Sequence, residues 1–257
     1  MKIITLNVNG LRAAVRKGLL DWLTEQQADI VCMQEIRANT DQLDQKTLNF
    51  FAHNYFFSAK RKGYSGTAIY SKHQPKSIIK GLENDIADSE GRYLQLDFAD
   101  FSVASLYLPS GSSKDSRQQI KFDFLDMYIK KLKSIINSDR NFIICGDFNI
   151  VHKEIDIKNF KTNQKSSGCL PQERAWLDKV FTEIGFIDAF RNIDKRAEQY
   201  TWWSNRGRAR ANNVGWRIDY QIVTPKLKNK ILDVEIYKEK FFSDHAPLII
   251  KYDIKNK

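Results

Sequence analysis

Gly146-Asp147-Phe148-Asn149 and Ser243-Asp244-His245 set acids beside an amide and an imidazole at the borders of apolar runs. Groups of these types can bind a hard cation, activate water or hand a proton to a leaving oxygen. Two further runs carry a polar end in the same way: Asn7 follows Ile3-Ile4-Thr5-Leu6, and Glu35 follows Ile30-Val31-Cys32-Met33. Strand termini in α/β scaffolds hold polar side chains rigidly, so four such ends can converge on one site rich in oxygen ligands and amides. That set points to a Mg²⁺ ion and a phosphate.

Each signature also has a plainer reading. A carboxylate at a strand end, such as Glu35, is commonly a solvated turn residue; as a ligand it suits Mg²⁺, with Asp244 as its partner. Asp244-His245 alone can be local capping. Its weight comes from Asp219 in Gly215-Trp216-Arg217-Ile218-Asp219-Tyr220, because a buried Asp bonded to one imidazole nitrogen fixes the tautomer and supports the protonated ring. Asp147 and Asn149 either end a strand in an Asx turn or share one side of an extended chain. In a phosphoesterase Asp147 can deprotonate water while Asn149 donates to a charged oxygen. Tyr107, in Leu106-Tyr107-Leu108-Pro109-Ser110-Gly111, is either packing or a third donor to the phosphoryl group. His53, His73 and His152 are read as surface residues, with His152 a candidate for support from behind the site.

The elements that must hold these groups alternate between extended and helical. A helix is expected from near Ser116, with Ile120, Phe124, Leu125, Tyr128, Leu132, Ile135 and Ile136 on one face. Another begins near Pro171 and stops at Gly185, and a third runs from Leu11 to Gln27, weakened by Gly18. Further strands are expected at 66–71, 92–98, 101–108, 217–224 and 231–237, with a tight turn at Ala99-Asp100. So many strands and so few long helices favour a β-rich α/β fold with mixed sheets.

Composition narrows the partners. The 257 residues contain no Pro-, Gly- or Ser-rich linker, which favours a single domain over residues 1–257, with only the terminal Lys255-Asn256-Lys257 expected to lack structure. Lys and Arg exceed Asp and Glu by 41 to 31, a net charge of +10. The basic residues cluster with aromatics or glycine at Arg12, Arg16 and Lys17, at Lys60-Arg61-Lys62-Gly63-Tyr64, and from Trp202 through Arg206 to Trp216. Such clusters can neutralise a phosphate backbone while flat rings stack on bases. Cys32, Cys145 and Cys169 lack metal spacing, and a reducing cytoplasm fits them. No apolar stretch reaches the roughly 18 residues that span a bilayer, so a membrane role is disfavoured.

In order along the chain, LNVNGLRA from Leu6, QEIRA from Gln34, GYSGTAIYSK from Gly63, YLPSG from Tyr107, CGDFNI from Cys145, NVGWRIDY from Asn213 and SDHAPL from Ser243 resemble the exonuclease III family of apurinic/apyrimidinic endonucleases, in the endonuclease/exonuclease/phosphatase superfamily. The resemblance implies a four-layer α/β sandwich, two mixed β-sheets packed face to face and flanked by helices, with the site at one rim. It implies Glu35 as principal metal ligand with Asp244 assisting, and Asn7, Asp147, Asn149 and His245 around the phosphate, each also able to touch a metal. Tyr107 matches the active-site tyrosine, and Asp219 the partner of the histidine. The implied cofactor is Mg²⁺, with Mn²⁺ tolerated.

The implied substrate is double-stranded DNA with abasic sites, nicks or blocked 3′ ends, and the protein is expected to act as a monomer. Cleavage falls 5′ to an abasic deoxyribose, with 3′-block removal and 3′-to-5′ exonuclease activity alongside. By the same resemblance Arg12 and Lys17 contact the backbone, Gly63 and Tyr64 grip phosphate, and Asn163 lies beside a flipped sugar. Trp202 and Trp216 line a pocket too small for a base, so extrusion is easiest where no base must be unstacked. Departures touch activity balance: Ser110 stands where Asn is common, Arg206 and Ser113 where relatives insert side chains into the duplex, and Asn9 where some have Asp. The competing readings are a phosphomonoesterase or phospholipase-like member of the superfamily and a DNA-binding protein without catalysis.

Overall fold

The computed structural model describes residues 1–112 and 115–255, so Ser113, Lys114, Asn256 and Lys257 lie outside the described residues. Its strands are β1 (Lys2–Asn7), β2 (Ile30–Gln34), β3 (His53–Phe57), β4 (Thr67–Ser71), β5 (Ser77–Lys80), β6 (Tyr93–Asp97), β7 (Phe101–Tyr107), β8 (Asn141–Asp147), β9 (Ile187–Asp188), β10 (Trp202–Trp203), β11 (Gly215–Trp216), β12 (Asp219–Val223), β13 (Ile231–Ile236) and β14 (Leu248–Tyr252). One six-stranded sheet has the order β13-β14-β1-β2-β4-β3, a second β5-β6-β7-β8-β12-β9, and β10-β11 form a separate ribbon. Each large sheet is mixed, because β1-β2 and β7-β8 run parallel while the other pairs are antiparallel.

Three layers of apolar contact account for the architecture. Ile3, Cys32 and Ile69 of the first sheet meet Val103, Ile143 and Cys145 of the second in one buried cluster between them. The central strands are therefore covered on both faces, which is why they read as continuous apolar runs and not as alternating ones. Outside the first sheet lie Leu11–Arg16 and Leu19–Gln26, whose Leu11, Ala14, Leu20, Trp22 and Leu23 are buried. Outside the second lie Asp115–Asn137 and Pro171–Asp178, the latter continued by a π-helical stretch, Lys179–Ile184. The result is the four-layer α/β sandwich, helices, sheet, sheet, helices.

Local chemistry explains where the elements stop. Gly18 adopts φ 86°, so the segment expected as one helix is two, broken at Lys17-Gly18. Gly185, with φ 95°, ends the second helical run at the expected residue. The long helix buries Phe124, Leu125, Tyr128, Leu132 and Ile135, with Ile136 packed beside them, as its periodicity requires. Ala99-Asp100 joins β6 to β7 as an antiparallel hairpin. Strands β3, β5 and β9 to β11 lie outside the sequence expectations; β5 is exposed along its length and β9 to β11 have two residues each, so neither alternation nor length marks them.

Candidate active site

Strand register delivers the polar groups. Across the second sheet Tyr107 of β7 pairs with Asp147 of β8, and Asp147 pairs with Asp219 of β12, so three side chains stand in a row at one rim. In the first sheet Asn7 of β1 pairs with Gln34 of β2, which places Glu35 one residue further at the same rim. Asp244 and His245 precede β14, the other neighbour of β1. Asn7 joins the two sheets here: its Nδ2 donates to Glu35 Oε2 at 2.9 Å and to Asp147 Oδ2 at 2.8 Å.

A cavity of about 470 Å³ opens on this rim, bordered by Glu35, Tyr107, Asp147, Asn149, Asp244 and His245 together with Asn9, Arg37, Ser110, Trp202 and Trp216. Eight of the residues singled out from sequence thus meet in one cleft: Glu35, Tyr107, Asp147, Asn149, Trp202, Trp216, Asp244 and His245. Asn7 is fully buried behind it, and Asp219 is reached through His245. Trp202 and Trp216 meet edge to face with ring centroids 6.0 Å apart, whereas Trp203 belongs to the core.

The imidazole is set between acids. His245 Nδ1 lies 2.9 Å from Asp219 Oδ2, and its Nε2 lies 3.9 Å from Asp147 Oδ2. Burial opposes a charge on His245, but the Asp219 carboxylate more than offsets it and raises the group to about 10. The Asp219 carboxylate thus favours the doubly protonated ring. Burial lifts Asp147 to about 7, with His245 pulling the other way and Asp219 adding to the rise. A carboxylate with this proton affinity can act as a base near neutrality. Burial also pushes the Tyr107 phenol well up, helped by the Glu35 carboxylate, so it stays a neutral donor.

Asp147 and Asn149 meet for a reason other than strand alternation. Asn149 has φ 51° and has left β8; its backbone N–H donates to Asp147 Oδ1 at 2.8 Å and its Nδ2 to Asp147 Oδ2 at 3.2 Å. This is an Asx turn, and the turn itself brings the amide to the acid. Behind it Lys121 Nζ donates to Asn149 O at 2.8 Å and pairs with Glu173 Oε1 at 2.5 Å, both side chains fully buried.

The acidic edge suits a hard cation. Glu35 accepts from Asn7 and from Arg37 Nε at 2.9 Å, while Asp244 accepts from Asn9 Nδ2 at 2.8 Å and Trp202 Nε1 at 3.1 Å. Burial opposes charge on Asp244, yet the neighbouring His245 and these donors keep its carboxyl below the usual range. Asn9 Oδ1 is buried without a hydrogen-bond partner, an orphaned oxygen beside this edge. Two carboxylates and a free amide oxygen thus border one cavity, and oxygen donors are the type that Mg²⁺ takes. The tightest acid and imidazole cluster among the described residues is instead Asp147, Asp219 and His245, with ligand atoms within 4.8 Å of one another. Within that trio His245 Nδ1 and Asp219 Oδ2 are joined by a hydrogen bond of 2.9 Å.

Apart from Asn9 and Ser110, which border the cavity, the remaining residues singled out from sequence lie away from it. Arg12 is exposed on the Leu11–Arg16 helix, and Lys17 borders a separate hollow of about 300 Å³ with Arg208 and Arg210. Gly63 and Tyr64 lie on the loop before β4, Tyr64 facing a groove of about 500 Å³ with Lys60, Arg61 and Arg117. Asn163 ends the Phe160–Asn163 helix and donates to Asn159 O; Ser167 and Gly168, just beyond, reach the cavity instead. Arg206 is exposed in the loop between β10 and β11. His152 bonds Asp178 at 2.8 Å and does not border the cavity. Ser110 Oγ lies 2.9 Å from Ser112 Oγ at the cavity mouth. Sequence reading missed Arg37, Ser167 and the Lys121-Glu173 pair; a lysine on the long helix carries no mark that it is the buried one.

Two mixed sheets face to face with an acid, amide and imidazole cleft at one rim define an α/β-sandwich hydrolase of phosphate esters. Residues 4–245 match the Endonuclease/Exonuclease/phosphatase family, and the chain belongs to it. It is 39% identical over 250 residues to an exodeoxyribonuclease of Bacillus subtilis, covering 96% of this chain and 98% of that protein. It is 34% identical over 257 residues to the DNA repair nuclease APEX1 of Danio rerio, covering 97% of this chain and 81% of that one. Among solved structures, an AP endonuclease from Archaeoglobus fulgidus superposes with a TM-score of 0.86 at 27% identity, covering 99% of this chain and all of that one.

Proposed function

We propose that this chain is a Mg²⁺-dependent DNA repair nuclease, one domain over residues 1–257, that hydrolyses the phosphodiester 5′ to abasic sites and trims blocked 3′ ends. The observation that carries this reading is the row Asp219, His245, Asp147, Asn7 and Glu35, linked side chain to side chain across two sheets at one cleft. Its relatives' names, exodeoxyribonuclease and DNA repair nuclease, supply the substrate class. The net charge of +10 favours a polyanion over a small ester.

Asp147, held near neutrality, takes a proton from the attacking water. Protonated His245 and Tyr107 donate to the oxygens on which charge grows, while the amides of Asn7 and Asn149, engaged with Glu35, Asp147 and Leu108 O, hold the acids in place around the phosphate. Asp219 holds the imidazole in its donating form. Glu35 and Asp244 would hold Mg²⁺, with Mn²⁺ tolerated, and Asn9 Oδ1 is a further oxygen beside them. The bound ion supplies Lewis acidity toward the phosphate and leaving oxygen. Trp202 and Trp216 offer an apolar wall for a base-free deoxyribose, while Arg12, Lys17, Gly63, Tyr64, Asn163 and Arg206 contact the duplex. Three free, buried cysteines fit a reducing cytoplasm, and the protein is proposed to act as a monomer.

A duplex with one tetrahydrofuran abasic analogue tests this directly. It is expected to be cut on the 5′ side of the lesion in Mg²⁺ and spared in chelator. Asp147→Asn should abolish cutting while duplex affinity stays within about threefold, since the substitution removes the base and keeps the shape. Hydrolysis of small phosphate esters with the lesion left intact would overturn the reading.

A further inference from the structure

Arg92 packs between the catalytic rim and the Gly63-Tyr64 loop, and neither role proposed above uses it. Its side chain is 1% exposed. Every arm of the guanidinium is engaged: Nε donates to Glu90 Oε2 at 2.6 Å, Nη1 to Tyr107 O at 2.9 Å and Nη2 to the Tyr64 hydroxyl at 3.4 Å. The guanidinium carbon also lies 4.7 Å from the centre of the Tyr107 ring. Tyr107 N–H donates back to Arg92 O at 2.9 Å, so side chain and backbone hold the same residue. Arg117 reinforces the far end, bonding Glu90 Oε1 at 3.2 Å and the Tyr64 hydroxyl.

We propose that Arg92 is a positioning residue that fixes the Tyr107 ring and couples it to Tyr64, so that grip on the substrate backbone and placement of the phenol form one mechanical unit. This inference rests on the proposed roles of Tyr107 and Tyr64. Only a planar fork can reach Glu90, a carbonyl and a hydroxyl at once while stacking on an aromatic face; a lysine ammonium keeps the charge but loses the fork and the stacking. The corner that aims it is equally constrained. Gly91 has φ 61°, and a Cβ there would come within 2.3 Å of Phe57 O, so the backbone can turn from Glu90 into β6 only without a side chain. Glu90 is kept ionised against its burial by Arg92 and Arg117, which supplies the buried guanidinium with its counter-charge.

The test uses Arg92→Lys and Tyr64→Phe in the full chain, with Tyr107→Phe as reference, on the tetrahydrofuran duplex. Arg92→Lys is expected to lower kcat by about tenfold to a hundredfold, as misplacement of an active-site group does, with KM changed less than about threefold. Tyr64→Phe, which keeps the ring and loses the link, should lower kcat in the same direction by less. In the Tyr107→Phe background, Arg92→Lys should cost almost nothing further in kcat, because its effect passes through the phenol. Fully additive losses, or a loss confined to KM, would overturn the proposal.

A wild-type chain that fails to cut would sink the proposed function, leaving the fixation of the Tyr107 ring by Arg92 to be tested by itself. In that case ¹⁹F NMR of 3-fluorotyrosine at position 107 decides: a single sharp ring environment in the parent that broadens or splits in Arg92→Lys supports ring fixation, and an unchanged line defeats it.

Discussion

Asp147 and His245 are buried 3.9 Å apart and both hold their protons to higher pH than usual, Asp147 through burial and His245 through the Asp219 carboxylate, and the expected pH profile follows from that. In its proposed role as base Asp147 must be ionised, so cutting should fall as pH drops below about 7. His245 donates only when protonated, so the alkaline limb should appear near 10. The profile of kcat/KM against pH checks both limbs. Asp219→Asn removes the charge that keeps the ring protonated; it should move the alkaline limb toward neutrality and lower kcat about a hundredfold or more. An unmoved alkaline limb would detach Asp219 from the histidine's role.

Among the elements, the long helix Asp115–Asn137 does more than cover a sheet. Its Lys121 reaches through the core to pair with Glu173 and to hold the Asn149 carbonyl, and so ties two helices to the Asx turn at the site. Removing one member of a buried pair leaves the other charge uncompensated, at a cost of about 3–5 kcal/mol. Lys121→Met should therefore destabilise the fold by about that much in urea unfolding, and Lys121→Met with Glu173→Gln by less. Equal losses for the single and double variants would show that the pair's charges are not the cause. Much of this scale was legible beforehand: the helix from Ser116, the stop at Gly185 and the hairpin at Ala99-Asp100 follow from periodicity and turn chemistry. The edge strand β5 and the two-residue strands were not legible, because β5 is exposed along its length and strands of two residues are too short to show an alternation.

For the whole molecule, the proposed function divides two jobs, holding a polyanion on a chain of net charge +10 and placing one phosphate at the rim. Duplex affinity should then fall steeply with salt, and Arg12→Ala or Lys17→Ala should each reduce the slope of log affinity against log salt by about 1. Titration by fluorescence anisotropy at several salt concentrations measures it, and an unchanged slope would remove that residue from the interface.

The apolar strands, the main helices and the polar residues waiting at their ends can be read from the order of amino acids alone, because burial and capping act over a few neighbours and leave local marks. Which of those ends meet is settled in three dimensions. That Asn7 bridges Glu35 to Asp147, that Asp147 faces Asp219, and that Arg92 lies against Tyr107 all depend on sheet register and on how two sheets stack. Most of those contacts join residues tens to hundreds of positions apart, and no local pattern of side chains encodes them.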